Sequence, residues 1–255
     1  EAACWIAISR ADRVILAGDH CQLPPTIKCI EAARGGLGRT LLEKVVLHKP
    51  ETVSLLKIQY RMHEDIMRFP SRWFYHDELE AAPEVKYRGI LDFDTPVSWI
   101  DTSELDLQEK AVAEGTGRLN TGEAELLVRE LKNYMERIGI RRILEEHIDF
   151  GVISPYRAQV HYLRHLLKKE PFFRPCRRLI TVHTVDGFQG QERDVIMISL
   201  VRANEKGQIG FLRDLRRMNV AITRARMKLL ILGEAVTLTR HPFYRELYEY
   251  IGGLR

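Results

Sequence analysis

The sequence predicts an α/β chain built on a mainly parallel, doubly wound sheet, and three observations carry that prediction. Short, continuous apolar runs such as Thr181 to Val185, Val195 to Leu200 and Lys228 to Leu232 are bounded by turn residues, the pattern of strands buried on both faces. Segments with apolar residues at helical spacing separate such runs, and Leu127, Leu131, Tyr134 and Ile138 form the clearest of them. Polar clusters then fall at strand ends or in the following helix, where doubly wound sheets build their sites.

In chain order, Arg13 to Asp19 reads as a strand followed by GDHCQLPPT, in which Pro24 and Pro25 bar a helix. RGGLGRTLLEKVVLH is glycine-rich and then helical over Leu41 to His48. It is not a phosphate loop, because its glycines follow no strand and no Lys-Ser or Lys-Thr pair comes next. Pro50 marks a boundary. Thr52 to Ile58 is a strand ending in QYR, and a helix from His63 buries Ile66, Met67 and Phe69, with Trp73, Phe74 and Tyr75 packing the connection. Residues 76 to 120 are irregular apart from a strand at Val97 to Asp101, and the polar stretch Thr102 to Gly117 reads as a mobile loop. Asn120 or Thr121 caps the long helix that follows. Phe150 to Ser154 is the next strand, ending in PYRAQ, and Gln159 to Lys169 is amphipathic. Between Thr181 to Val185 and Val195 to Leu200 sits DGFQGQERD, where Gly187 and Gly190 permit tight turning. Asp214 to Arg226 reads as a helix carrying Arg216, Arg217, Arg224 and Arg226 into the strand from Lys228 to Leu232.

Composition narrows the classes. The 255 residues are 45% hydrophobic and 29% charged, enough for one full α/β core and part of another. A formal charge of +4 permits a polyanionic partner without demanding one. The four cysteines, Cys4, Cys21, Cys29 and Cys176, have no C-x-x-C spacing, which argues against zinc and a disulfide framework and for reduced, intracellular thiols. No metal ligand set is assigned. No apolar run reaches membrane-spanning length, and no basic leader opens the chain. The opening residues EAACWIAISRADRVILAGD stand inside a sequence pattern, as in a piece of a longer protein.

The ordered set GDHCQLPP, QYRMHEDIMRFPS, VISPYRAQ, TVDGFQGQERDVI and RRMNVAITRAR resembles the C-terminal motor region of superfamily 1 helicases of the Upf-like group, the AAA_12 type, over essentially the whole chain. The resemblance implies a RecA-like P-loop NTPase fold, with residues 1–48 the tail of a first motor domain and 49–255 the second. In that family two such domains hold ATP in the cleft between them and single-stranded nucleic acid across their tops. It further implies that Glu1 belongs to the acidic pair that handles metal and water, that Gln22 senses the γ-phosphate, and that Arg61 and Arg224 point at the triphosphate. Tyr60 would stack near adenine and Glu192 would contact ribose, with Gln189 and Gly190 beside it in the loop. Residue type alone leaves Arg61 open to a surface ion pair, Arg216 and Arg217 to solvated helix charges, and Gln189 to bracing the loop.

For the strand, the resemblance assigns Pro155, Tyr156, Arg157, His183 and Thr184, although Tyr156 reads equally as packing. The basic segment RHLLKKEPFFRPCRR reads first as a solvated helix face and turn. ATP and Mg2+ are the implied cofactors, both needing a first domain whose phosphate loop these residues lack. The expected partners are single-stranded DNA or RNA and that first domain in cis, with no membrane and an intracellular setting. A helicase-like scaffold without catalysis is the alternative.

Overall fold

The computed structural model describes residues 2–24, 27, 29–112 and 117–254. The chain divides into two compact units, Glu1–Leu56 and Lys57–Arg255.

The first unit holds α1 (Ala2–Ile8), α2 (Ile30–Ala32) and α3 (Leu41–His48). The predicted α3 forms behind a capping box: Thr40 Oγ1 accepts from Glu43 N at 3.1 Å and Glu43 Oε2 accepts from Thr40 N at 3.2 Å. The strand expected at Arg13 to Asp19 does not form. A strand exists only where a neighbour takes its ladder bonds. This segment has no such neighbour among the described residues, and Ile15 is 95% exposed. Leu23 is the one buried side chain among the unit's described residues, so the local pattern has no core to enforce it.

The second unit contains the sheet. β1 (Ile58–Gln59) and β2 (Glu80–Ala81) form a short parallel pair, so the strand expected from Thr52 shrinks to its last residues; Pro50–Thr52 is a 3-10 turn with Pro50 in its first position. The five main strands are β3 (Val97–Asp101), β6 (Phe150–Ser154), β7 (Ile180–Thr184), β8 (Arg193–Ser199) and β9 (Ala225–Gly233). All are parallel, in the order β3-β9-β8-β6-β7, while β4 (Lys110–Ala111) and β5 (Arg118–Leu119) make a separate antiparallel ladder. The predicted parallel, helix-flanked sheet is therefore present.

Its two faces follow from the period of two. Phe150 and Val152 of β6 stand opposite Val195 and Met197 of β8, and this face is covered by Leu127, Leu131 and Met135 of α6 (Thr121–Ile138) and by Val160 and Leu163 of α8 (Arg157–Lys169). Gly151 and Ile196 point to the other face. A Cβ at Gly151 would stand 2.5 Å from Ile196 Cδ1 and 2.9 Å from Phe188 Cζ, so the approach of α9 (Val185–Phe188) requires glycine there. α4 (Glu64–Phe74), α10 (Leu215–Ile222) and α12 (Pro242–Gly253) complete this layer, with Phe69, Trp73 and Phe243 in mutual ring contact. Ile66, Met67 and Phe69 are buried as expected.

Two expectations change. Asp214 to Arg226 is not one helix: α10 ends at Ile222, Thr223 Oγ1 donates back to Asn219 O at 2.7 Å, and Arg224 lies in the turn before β9, which already contains Arg226. The segment from Thr102 is not loose where it is described. Thr102 is buried, and Glu109 takes an ion pair from Arg202 at 2.7 Å and a hydrogen bond from Ala203 N at 2.9 Å. Residues 113–116 lie outside the described residues.

Candidate nucleotide and nucleic-acid sites

The polar clusters of the second unit separate to opposite ends of the same strands. β8 and β9 begin in register, Arg193 opposite Ala225, with Arg193 N donating to Arg224 O at 2.9 Å. This amino edge gathers Arg61, Glu192, Arg224 and Arg226 around Asp149 and Asp194. The Arg61 guanidinium is bonded to the Glu192 carboxylate and donates to Thr223 O at 3.0 Å. Arg224 is 3% exposed; its Nε donates to Val220 O at 3.0 Å, one terminal nitrogen to Gln191 O at 3.2 Å and the other to Thr223 Oγ1 at 3.0 Å. Two arginines far apart in the chain are thus fixed on one residue, Thr223.

The charges behind them are interlocked. Arg226 reaches Asp149 at 3.4 Å, Asp194 at 3.4 Å and Glu192 at 3.8 Å, while Asp149 and Asp194 each accept from the other's backbone N–H, at 2.7 and 3.1 Å. Burial pushes the Glu192 carboxyl up, but the bond to Arg61 and the nearby charges of Arg61, Arg226 and Arg224 outweigh it and hold the group below its ordinary value. Asp194 moves the other way, because burial and the neighbouring Asp149 outweigh Arg226. Arg61 is half-exposed and ion-paired with Glu192, the arrangement its residue type left open.

The QYR turn is set by Gln59, a residue without a role in the sequence reading. Gln59 Oε1 accepts from Arg61 N at 2.9 Å and Met62 N at 2.7 Å, and its amide donates to Met62 O at 2.8 Å. Tyr60 is 68% exposed, its ring offered to solvent. Gln189 and Gly190 are exposed, with Gly190 at φ 81°, and the loop is braced by Gln191, which donates to Gly187 O at 2.8 Å and accepts from Arg193 at 2.9 Å. Arg216 and Arg217 both pair with Asp214, at 2.9 and 3.1 Å, as helix-surface charges. Described within the first unit, Gln22 donates to Asp19 Oδ2 at 2.8 Å. Glu1 lies outside the described residues. Ligand atoms of Asp19, His20 and Cys21 lie within 4.8 Å of one another, but a histidine and a thiol do not suit Mg2+, which takes oxygen ligands.

The carboxyl edge carries the other candidates. Chain order reverses around β6, whose connection leads to β7 on one side before the chain returns to β8 on the other, and this is the switch point where open α/β sheets present ligand crevices. Arg157 is exposed at the first residue of α8, and Pro155 is half-buried before it. Tyr156 departs from the strand-stacking expectation: it is 2% exposed, 5.5 Å from the Phe211 ring, and its hydroxyl accepts from Arg202 at 3.3 Å, so the ring is packing. His183 is exposed. Its Nδ1 accepts from Thr184 N at 2.9 Å, which leaves the proton on Nε2 in the neutral ring, and the imidazole lies over Gly187, where a Cβ would stand 1.7 Å from Nδ1.

Beneath this edge is a buried network that includes Glu123. Asn120 Oδ1 caps α6 by accepting from Glu123 N at 3.0 Å, and Gln159 donates to Asn120 O at 3.0 Å and Ser199 Oγ at 2.9 Å. Glu123 Oε1 accepts from Ser199 Oγ at 2.6 Å and Val201 N at 2.9 Å. Val201 has φ 71°, a strained value for a β-branched residue.

The family comparison fits this arrangement. AAA_12, described as an AAA domain, matches residues 37–236, and AAA_11, also an AAA domain, matches residues 1–29. The chain is 36% identical to the DNA-binding protein SMUBP-2 of Rattus norvegicus, over 98% of this chain and 25% of that protein. It is 37% identical to an uncharacterized ATP-dependent helicase of Methanocaldococcus jannaschii, over 98% of this chain and 36% of the relative. The DNA polymerase alpha-associated DNA helicase A of Saccharomyces cerevisiae is also 37% identical, over 94% of this chain and 37% of the relative. The chain therefore spans about a quarter to somewhat over a third of the length of these relatives. No helix among the described residues is long and apolar enough to cross a membrane. With a parallel, helix-flanked sheet, the motifs in order and the family model matched over residues 37–236, the chain belongs to the AAA_12 family of AAA domains, a superfamily 1 Upf-like helicase domain.

Proposed function

We propose that this chain is the C-terminal motor part of an ATP-dependent nucleic-acid helicase or translocase, with Arg61 and Arg224 directed at the nucleotide's phosphates and the carboxyl edge forming part of a single-strand track. The observation that carries the reading is the convergence on Thr223, whose carbonyl takes Arg61 and whose hydroxyl takes Arg224, each at 3.0 Å. The carbonyl and hydroxyl oxygens around Arg224 orient its guanidinium without adding a countercharge, while Arg61 is aimed by Thr223 O and by the Glu192 carboxylate. Bound ATP would supply the phosphoanhydride, and Mg2+ would screen its phosphates, held by the acidic pair to which the resemblance assigns Glu1. Neutralising charge as phosphoryl transfer proceeds is typically worth about 10³–10⁵ in rate. Glu192, kept ionised by Arg61, is placed to accept from a ribose hydroxyl, and exposed Tyr60 to stack on a base.

At the carboxyl edge Arg157 and Thr184 supply charge and hydroxyl to the strand's phosphates, and Tyr156 supports them from inside. The 255 residues contain no G-x-x-x-x-G-K-[ST] run, so this chain by itself is expected to bind ATP weakly and not to hydrolyse it. Residues 1–48 are read as the tail of the first motor domain.

The test is steady-state ATPase in the full-length protein. Arg224→Lys keeps the charge and loses the fork, and Arg61→Ala removes the exposed partner; each is expected to lower kcat by about 10²-fold or more while strand affinity changes little. An unshifted Tm shows that the variants are folded. Near-normal turnover in folded Arg224→Lys and Arg61→Ala overturns the assignment.

A further inference from the structure

The flank of α8 is strongly basic. From Arg157 to Val182 the sequence has seven Lys or Arg and one Glu, a formal +6 against +4 for the whole chain, so the remaining residues carry −2 between them. All seven cations are exposed. Arg157, Arg164 and Lys168 recur at helical spacing with His161 among them, beside the seam of Val160, Leu163 and Leu167 that packs on the sheet. Arg177 donates to Lys168 O at 3.1 Å, which brings the segment before β7 alongside the end of α8. Arg164 donates to Val182 O at 3.1 and 2.6 Å, on an edge strand that pairs only with β6. None of the seven lies within ion-pair distance of a carboxylate among the described residues. The single acid, Glu170, faces Lys132 at 3.6 Å.

A surface that only solvates a helix ordinarily mixes signs. This one does not. Its Arg157 end stands at the carboxyl edge, where the proposed strand track lies, and from there the stripe runs beside the open edge of β7. A single strand wants aromatic faces for its bases as well as charge. The stripe offers no exposed Phe, Tyr or Trp: Tyr162 is half-buried with its hydroxyl on Glu125 at 2.8 Å, and Phe172 is half-buried under Lys132. Charge without stacking platforms suits a nucleic acid whose bases are hidden. The 13 residues of α8 span about 18 Å, the length of about five phosphates along one strand of a duplex.

We propose that this stripe is a second nucleic-acid site, one that grips the phosphate backbone of duplex adjoining the single strand in the track. The proposal rests on the carboxyl-edge track for its position, and the experiment separates the two. In the full-length protein, Lys168, Lys169, Arg174 and Arg178 are replaced together by Ala, sparing Arg164 and Arg177, whose backbone bonds shape the fold. Fluorescence-anisotropy titrations over a salt series then compare a duplex bearing a single-stranded tail with the tail alone. For the tailed duplex, the slope of log affinity against log salt is expected to fall by about 3–4 units, near 0.9 per lost contact, while the tail alone keeps its wild-type slope. An unchanged slope on the tailed duplex with an unshifted Tm overturns the proposal. So does an equal drop on both ligands, which would make the stripe part of the single-strand track. Loss of binding only to phosphatidylserine vesicles would assign the charge to a membrane instead. Arg157→Ala is expected to lower the slope on both ligands; if it changes neither while the fourfold variant acts as stated, the track fails and the duplex site stands.

Discussion

Glu123 makes the stability of this fold depend on pH in an unusual direction. It lies in the first turn of α6, 0% exposed, with Oε1 holding Ser199 and Val201 and Oε2 buried without a hydrogen-bond partner among the described residues. Burial raises its pKa, the accepted hydrogen bonds only partly offset this, and the Glu234 charge adds to it, so the carboxyl is pushed up from 4.5 to about 7. A folded-state pKa above the unfolded one means that the native state binds the extra proton. The contribution is therefore fully present below about pH 4.5 and is lost as pH rises through about 7. At 1.36 kcal/mol per pK unit, the shift amounts to about 3 kcal/mol, a large share of a domain's typical stability of about 5–15 kcal/mol. Glu123→Gln keeps the shape and removes the titration. Its amide places an unsatisfied N–H where Oε2 stood, at about 1–3 kcal/mol, so the variant is expected to be less stable at pH 5 and to close or reverse that gap by pH 9. Denaturant unfolding at a series of pH values measures the difference directly, with other titrating groups common to both proteins. Parallel stability curves for the two would refute the reasoning.

Two further outcomes follow from local geometry. Gly187→Ala is expected to push the His183 ring aside and break its bond to Thr184 N, leaving Tm within a few degrees of wild type but weakening single-strand affinity about five- to tenfold, as read by anisotropy. Lys228 is buried, with its ammonium 3.2 Å from Asp94, 2.6 Å from Thr95 O and 3.1 Å from Ser98 Oγ. Lys228→Met leaves Asp94 unpaired by it and should lose about 3–5 kcal/mol in denaturant unfolding, and adding Asp94→Asn should restore part of that loss.

The sheet was legible because four of its five strands are runs of β-branched and aliphatic residues that can be satisfied only between neighbours, and Phe150 to Ser154 is found at the predicted bounds. Arg13 to Asp19 has the same local pattern and forms no strand. The difference lies in the partner, which a strand's own sequence does not encode. The end of α10 was hidden for another reason: NVAITRAR is compatible with a continuing helix until Thr223 bonds back to Asn219 O and the chain enters register with β8. Tyr156 came to the strand through the resemblance of SPYRAQ, with packing left open, and Phe211, more than fifty residues later, covers it.

Within the site, Arg61, Glu192 and Arg224 could be singled out in the sequence only through the resemblance of their motifs. Gln59, Gln191 and Thr223 could not, since each acts by bonding main chain, and a glutamine or threonine in a turn has many ordinary reasons to be there. Their importance appears only in three dimensions, where Thr223 joins two guanidinium groups that arrive from separate segments. The expectation that polar sites lie at carboxyl ends of strands describes Arg61, which follows β1, and not Arg224, which precedes β9, and chemistry accounts for the difference. A phosphate cradle needs converging backbone N–H groups, which a strand-to-helix turn provides at a carboxyl end, whereas a guanidinium needs only to be aimed and can be carried at the amino end. β8 runs from Arg193 to Ser199, about 20 Å at the rise of a strand, so one rigid element joins the arginine cluster at its start to the buried Glu123 network at its end.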